Sequence, residues 1–220
     1  MRLPMKSLAD ATVVATAAGI ANDLGFSESL RSGPRKGFRR RPAPSCTIGP
    51  MSTPPPLIRT GLGYDSHRLG SGGPLRLGGV DVPGPFHAIG HSDADVLFHA
   101  ITDGILGSVA APDIGRLFPD TQEENRGRDS RDFLREATRR LGEAGYQISN
   151  LDAVVLLQKP KLADWIDPIR RSIADCLGCD VTAVGLKAKT GEGVDAVGRC
   201  EAIAARVVVL VVRSDLSEAG

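Results

Sequence analysis

Gly63-Tyr64-Asp65-Ser66-His67 and, further along, Gly90-His91-Ser92-Asp93-Ala94-Asp95-Val96-Leu97-Phe98-His99 are the stretches around which the chain is organised. Asp65 and His67 stand two apart, so in a strand their side chains leave one face. Residues 58–65 read as that strand, and Gly61 and Gly63 within it mark a close backbone approach. Val96, Leu97, Ala100, Ile101 and Ile105 recur with helical spacing, which puts His99 on a helix. One carboxylate and two imidazoles without a thiolate suit a catalytic zinc shell that leaves a fourth position open. The same residues also fit surface groups or satisfied core polar groups, and spacing alone leaves both open. Asp95, His99 and Asp103 fall at successive i, i+4 positions; either aspartate would orient the imidazole or stand in solvent. Ser92 or Asp93 is the expected N-cap, and the helix start offers backbone N–H groups to an anion.

Outward from this centre the chain alternates strands and helices. A glycine-bearing loop over 69–74 is expected to be flexible, followed by a hairpin over 74–82 turning at Gly78-Gly79. Residues 112–126 lack periodicity and read as a long, functional loop. A helix over 129–143 buries Phe133, Leu134, Ala137 and Leu141; a strand over 151–158 follows, then an amphipathic helix over 162–177. Residues 184–190 alternate as a half-buried strand, 191–198 form a loop, and the apolar run 202–212 reads as a strand covered on both sides. The expected fold is α+β: one mixed β-sheet with helices packed on one face, the other face in need of cover.

The 220 residues carry a formal charge of +1, spread unevenly. Residues 1–56 hold eight Lys/Arg against Asp10, Asp23 and Glu28, a surplus of +5 that leaves −4 on the rest. A mildly acidic body argues against a nucleic-acid surface. Rich in Ala, Arg, Ser and Pro, residues 1–56 are expected to be a disordered basic extension. They are either an organelle-targeting leader or sequence upstream of a true start at Met51, and the acidic residues favour the latter. The domain proper is expected over 57–213, with a frayed tail over 214–220. Four cysteines do not make a disulfide framework in a chain this long, and Cys176-Leu177-Gly178-Cys179 has no second pair to complete a four-thiolate site. Packed, reduced thiols and a bacterial cytoplasm are expected, or the plastid stroma if the extension is a transit peptide. No apolar run reaches the roughly 20 residues that span a bilayer.

Gly63 to His67, Leu77-Gly78-Gly79-Val80 and His91 to Val96 with His99 and Asp103 come first in a series of blocks. Asp113-Ile114-Gly115, Phe118-Pro119-Asp120-Thr121, Asp129-Ser130-Arg131, Pro160-Lys161, Lys187 to Thr190 and Gly198-Arg199 complete it. In this order, over roughly residues 58–213, they resemble the 2-C-methyl-D-erythritol 2,4-cyclodiphosphate synthase family, lyases of the non-mevalonate isoprenoid pathway.

The resemblance implies a homotrimer with active sites between subunits. It also implies conversion of 4-diphosphocytidyl-2-C-methyl-D-erythritol 2-phosphate to the 2,4-cyclodiphosphate and CMP. By the same resemblance Asp65, His67 and His99 hold one Zn2+ per subunit, with Ser66 beside them. His91 and Ser92 position the 2-phosphate, His91 also serving catalysis as a donor. Asp113, Ile114 and Gly115 with Phe118, Pro119, Asp120, Thr121 and Gln122 take the methylerythritol hydroxyls; Gln122 stands where an acidic residue is common. Leu157, Gln158, Lys159, Pro160, Lys161, Leu162 and Ala163 form a cytidine pocket offered to the neighbouring subunit. Lys189, Thr190, Gly191 and Glu192 correspond to a phosphate-binding segment. In it Thr190 stabilises the transition state and Glu192 holds Mg2+ or Mn2+ bridging the substrate diphosphate. Arg199 corresponds to an arginine at the mouth of a central cavity, though an ion pair with Glu201 is an equal reading. A zinc-dependent phosphoesterase and a non-catalytic trimeric metal-binding scaffold are the alternatives, separated from the cyclase by product analysis.

Overall fold

The computed structural model describes residues 55–216. All but the last two residues of the expected basic extension, and the tail from 217 on, lie outside the described residues. Pro56 already belongs to the domain, its carbonyl accepting the Tyr146 hydroxyl at 2.8 Å. The strands are β1 (Ile58–Ser71), β2 (Leu75–Leu77), β3 (Val80–Val82), β4 (Phe86–Ile89), β5 (Tyr146–Leu156), β6 (Val184–Lys189) and β7 (Ala202–Arg213). The helices are α1 (Val96–Ser108), α2 (Ile114–Leu117), α3 (Ser130–Glu143) and α4 (Ile166–Leu177).

Five strands form one mixed sheet in the order β4-β1-β7-β5-β6, in which only β5 and β6 run parallel; β2 and β3 make a separate hairpin. Period-2 alternation sorts the sheet into two faces. On β7, Ile203, Ala205, Val207, Val209 and Val211 are buried while Arg206 and Val208 face outward. The buried face carries α1, which is buried nearly all round because α3 covers its far side. Gly61 and Gly63 are what let α1 lie flat on β1. A Cβ added to Gly61 would stand 1.8 Å from the Gly104 carbonyl oxygen, and one added to Gly63 1.8 Å from that of Ala100.

Several expectations are corrected. β7 is not covered on both sides: in the single chain Leu62 (70% exposed), Tyr64 (54%) and Val208 (49%) leave an apolar outer face open. β1 runs six residues past Asp65, because Arg68 to Ser71 pair with β4, so part of the expected flexible loop is strand. β5 starts at Tyr146 rather than 151, with a register shift between Ile148 and Asn150 that breaks the alternation. The expected helix over 162–177 opens as a 3-10 turn at Ala163–Trp165 before α4. Ser214–Leu216, expected to fray, forms a 3-10 turn with Ser214 N–H on the Gly145 carbonyl at 3.0 Å. Edge strand β6 buries only Val184. Cys176, Cys179 and Cys200 are free and half-buried; burial pushes the thiols of Cys176 and Cys179 up.

Candidate active site

β1 presents Asp65 and His67 on the face that carries α1, and α1 brings His99 down beside them. Asp65 Oδ2 lies 3.0 Å from His67 Nε2 and 2.9 Å from His99 Nδ1, and the two imidazole nitrogens are 3.2 Å apart. Ligand atoms about 2.0–2.1 Å from a tetrahedral ion stand about 3.3 Å from one another, so this donor set fits a zinc-sized ion with little movement. Among the described residues no other group of three or more His, Cys, Asp or Glu side chains could hold a metal. Burial pushes the Asp65 carboxyl up, but hydrogen bonds from His67 and His99, together with their charge, outweigh it and hold the group well below the usual carboxylate range. It is therefore ionised, as a ligand must be.

Asp95, not Ser92 or Asp93, is the N-cap of α1. Its buried carboxylate accepts the N–H groups of Leu97 (3.2 Å) and Phe98 (3.1 Å) and, across the fold, those of Gly78 (2.9 Å) and Gly79 (2.6 Å) at the β2–β3 turn. Those N–H groups are thereby used up, so the helix start is not the free anion site expected of it. Burial pushes the Asp95 carboxyl up, with the Gly79, Phe98 and Gly78 N–H groups pulling back. Asp103 accepts the Ile114 N–H at 2.8 Å. Neither aspartate orients the His99 ring. Two serines stand at its Nε2 instead: Ser130 Oγ at 2.8 Å and Ser92 Oγ at 3.1 Å.

A cavity of about 250 Å³ opens beside the three donors, lined by His67, His91, Ser92, His99, Phe118, Asp120, Asn125 and Phe133. His91 is among these lining residues, and its Nε2 is buried without a hydrogen-bond partner. An orphaned polar nitrogen costs about 1–3 kcal/mol, so a group that satisfies it on binding gains that much selectivity. Phe118 packs on Phe133 (4.6 Å between ring centres), and the Arg128 guanidinium lies over both rings at 5.1 and 5.4 Å. The loop expected over 112–126 is not irregular throughout: it carries α2 and a 3-10 turn at Glu123–Asn125, and it is folded by local bonds. Asp113 caps α2 through the Arg116 N–H (2.9 Å), and Pro119 O accepts the Asn125 amide (2.9 Å), which also lies 3.4 Å from Gln122 Oε1. Ile114, Gly115 and Thr121 lie in that loop without lining the cavity. Ser66 faces the opposite side of the sheet from Asp65, so its hydroxyl does not join the site; only its N–H reaches Asp65, at 2.8 Å.

The remaining expected residues gather elsewhere. Leu157, Pro160, Lys161, Leu162, Ala163, Lys189 and Thr190 line a second cavity of about 410 Å³, between the segment after β5 and the end of β6. Gln158 Oε1 accepts the Gly191 N–H at 3.2 Å, and the Thr190 hydroxyl donates to Glu192 at 2.9 Å. Lys159 is exposed beside them. Arg199 is paired with Glu201 at 3.0 Å, and Glu192 belongs to no metal-binding group. No residue lines both cavities, so one chain brings the expected site together as two halves. A larger cleft of about 460 Å³ between α3 and α4 holds none of the expected residues; the donor chemistry, not the volume, locates the site. Ser130, Asn125 and Phe133 were not foreseen as site residues: the packing of α3 on α1 carries Ser130 and Phe133 there, and the bond from the Asn125 amide to Pro119 O holds Asn125 in the preceding turn.

Comparison with known proteins follows the same residues. A family model described as the YgbB family matches residues 58–212. The 2-C-methyl-D-erythritol 2,4-cyclodiphosphate synthase of Rhodopirellula baltica is 67% identical over 164 residues, which are 74% of this chain and 99% of that one. A solved 2C-methyl-D-erythritol-2,4-cyclodiphosphate synthase in its CDP-bound form superimposes with a TM-score of 0.65 at 40% identity, over 70% of this chain and 99% of the other. The bifunctional IspDF of Campylobacter jejuni gives 0.68 at 36% identity over 71% of this chain; the match spans only 42% of that longer protein.

Proposed function

Since the chain belongs to the YgbB family, the 2-C-methyl-D-erythritol 2,4-cyclodiphosphate synthases, we propose the following division of labour for that family's reaction among its residues. The activity is that of a phosphorus–oxygen lyase of isoprenoid biosynthesis, turning 4-diphosphocytidyl-2-C-methyl-D-erythritol 2-phosphate into 2-C-methyl-D-erythritol 2,4-cyclodiphosphate and CMP. An oxygen of the 2-phosphate bonds to the β-phosphorus, the bond from that phosphorus to the bridging oxygen breaks, and CMP leaves with the oxygen. The nucleophile is part of the substrate. The protein's task is therefore to hold the substrate folded and to offset the charge crowded onto three phosphates.

Asp65, His67 and His99 hold one Zn2+ per subunit, which when bound would polarise an oxygen of the β-phosphate. His91 and Ser92 bind the 2-phosphate. His91, which lines the cavity beside the metal ligands and whose buried Nε2 has no hydrogen-bond partner, is the observation that carries this reading. Asp120 and the loop over 113–122 face the methylerythritol hydroxyls, with Phe118 and Phe133 closing the apolar side. The second cavity takes cytidine; Lys189 and Thr190, which line it, bind the phosphates, and Glu192 would hold Mg2+ or Mn2+. Arg199 stands at the mouth of a central cavity.

The halves are completed between chains in a homotrimer. Two features support this: the open apolar face at Leu62, Tyr64 and Val208, and the separation of the metal cavity from the cytidine cavity within one chain. No helix among the described residues is long and apolar enough to cross a membrane, and we place the enzyme in a bacterial cytoplasm, or in a plastid stroma if residues 1–56 are a transit peptide. The test is incubation with the cytidine-linked substrate, with and without a chelator, followed by mass identification of products. CMP with a cyclic diphosphate is expected. Linear phosphate products would mean a phosphoesterase, and metal binding without turnover a scaffold.

A further inference from the structure

His99 turns Nδ1 toward Asp65 and His67, and a ring nitrogen coordinates only through a free lone pair, so a ligating His99 must carry its proton on Nε2. What surrounds Nε2 decides whether that tautomer is enforced. Ser130 Oγ, fully buried at the first turn of α3, stands 2.8 Å away. A hydroxyl has one proton, and that of Ser130 is directed at Asp93 Oδ1 in a short contact, while the Ser130 backbone N–H donates to Asp93 Oδ2 at 3.1 Å. With its proton committed to a carboxylate, Ser130 Oγ can only accept from the imidazole. Asp93 is itself pinned. Its N–H donates to the Arg128 carbonyl at 3.1 Å, and its Oδ1 also accepts the Asp95 N–H at 3.3 Å. Ser92 Oγ, at 3.1 Å from the same nitrogen, accepts the Ala94 N–H at 3.3 Å and has no such carboxylate behind it.

We infer that Asp93 and Ser130 are a positioning pair that locks His99 in its Nε2–H tautomer, so that the metal affinity of the site is set from the N-terminus of α3. The inference rests on reading Asp65, His67 and His99 as metal ligands. A carboxylate polarising the serine makes its oxygen a stronger acceptor, and the imidazole that donates to it presents a more basic Nδ1. The pair also relieves Ser92 of that duty, leaving its hydroxyl free for an anion in the cavity that His91 shares.

The experiment is competition for Zn2+ between the apo-protein and a chromophoric chelator, run on the full chain for wild type, Ser130→Ala, Ser130→Thr, Asp93→Asn and His99→Ala. Ser130→Ala is expected to weaken Zn2+ binding on the order of 10–100-fold, as loss of such outer partners does elsewhere, with Ser130→Thr restoring it. Imidazole 15N spectra of the zinc-loaded protein should show His99 as the Nε2–H tautomer in wild type and Ser130→Thr. The slowly exchanging Nε2 proton should vanish in Ser130→Ala, a change that mere loosening of α3 would not reverse with threonine. If His99→Ala binds Zn2+ as tightly as wild type, the metal reading itself fails. If His99→Ala loses the ion while Ser130→Ala stays within about twofold of wild type, only the positioning pair is overturned. Should circular dichroism show Ser130→Ala unfolded, Asp93→Asn decides: weaker Zn2+ binding upholds the pair, and unchanged binding overturns it.

Discussion

Replacing Asp95 by alanine deletes, in one step, the acceptor for two helix N–H groups and two turn N–H groups. Asp95 Oδ1 takes the N–H of Gly78, Leu97 and Phe98, and Oδ2 that of Gly79; Gly78 and Gly79 are themselves buried, so water does not replace the lost partner. The lost cap costs about 1 kcal/mol and each orphaned turn N–H about 1–3 kcal/mol; with relief from burying a carboxylate set against them, the net for Asp95→Ala is about 3–5 kcal/mol. Asp95→Asn should fall between. It keeps Oδ1 and three of the bonds but turns an NH2 group toward the Gly79 N–H, for about 1–3 kcal/mol. Urea unfolding at one fixed protein concentration measures both. Amide exchange at Gly79 should quicken in both variants and that at Gly78 only in the alanine variant. An alanine variant within about 1 kcal/mol of wild type, or equal losses from asparagine and alanine, would refute the account of Asp95 as the clasp between hairpin and helix.

Gly63→Ala should destabilise by about 3 kcal/mol or more, because the new methyl meets backbone that cannot swing aside; an unchanged thermal midpoint would contradict the flat seating of α1 on β1. Glu136 is held down to about 2 by its hydrogen bond to Arg139, with Arg140 adding to it. A lowered folded value stabilises above the ordinary 4.5 and loses that effect as pH falls toward 2, so wild type should exceed Glu136→Gln by less than about 1 kcal/mol at neutral pH and by nothing near pH 2. A gap that widens on acidification would reverse the sign. His91→Ala should raise KM for the cyclisation while leaving Zn2+ content unchanged, checked by metal analysis; loss of the metal would place His91 among the ligands. Removing residues 1–54 should leave turnover and assembly as they are, measured by product release and sedimentation, since the family match begins at residue 58.

Asp65 and His67 were legible because a strand fixes the face of residues two apart, and His99 because the apolar positions around it keep helical spacing. The mixed sheet with helices on one face could be read in the same way. What could not be read depends on contacts between distant segments. Ser92, Asp93 and Asp95 are each good caps, and only the Gly78-Gly79 turn, packed across the fold, selects Asp95. Ser130 reaches His99 across 31 positions of chain through the packing of α3 on α1. The first half of β5 was hidden by the irregularity at Ile148 and Asn150, which breaks the period that marks a strand. β4 and the last turns of β1 were hidden because a glycine-rich run reads as loop until a partner strand pairs with it. An apolar run such as that of β7 cannot say whether its second face is covered by its own chain.

The two margins of the sheet bear on how copies of the chain can meet. β4 is only four residues long, and β6, hydrogen-bonded to β5 alone, carries Lys187 and Lys189 along its free border, with Lys187 bonded to Asp152. Short borders and lysines both discourage an incoming strand from extending the ladder. Growth by strand addition, the route to open-ended fibrils, is thus disfavoured at either rim. The apolar surface around Leu62 and Val208 lies instead on the outer face of the two inner strands β1 and β7, away from both rims.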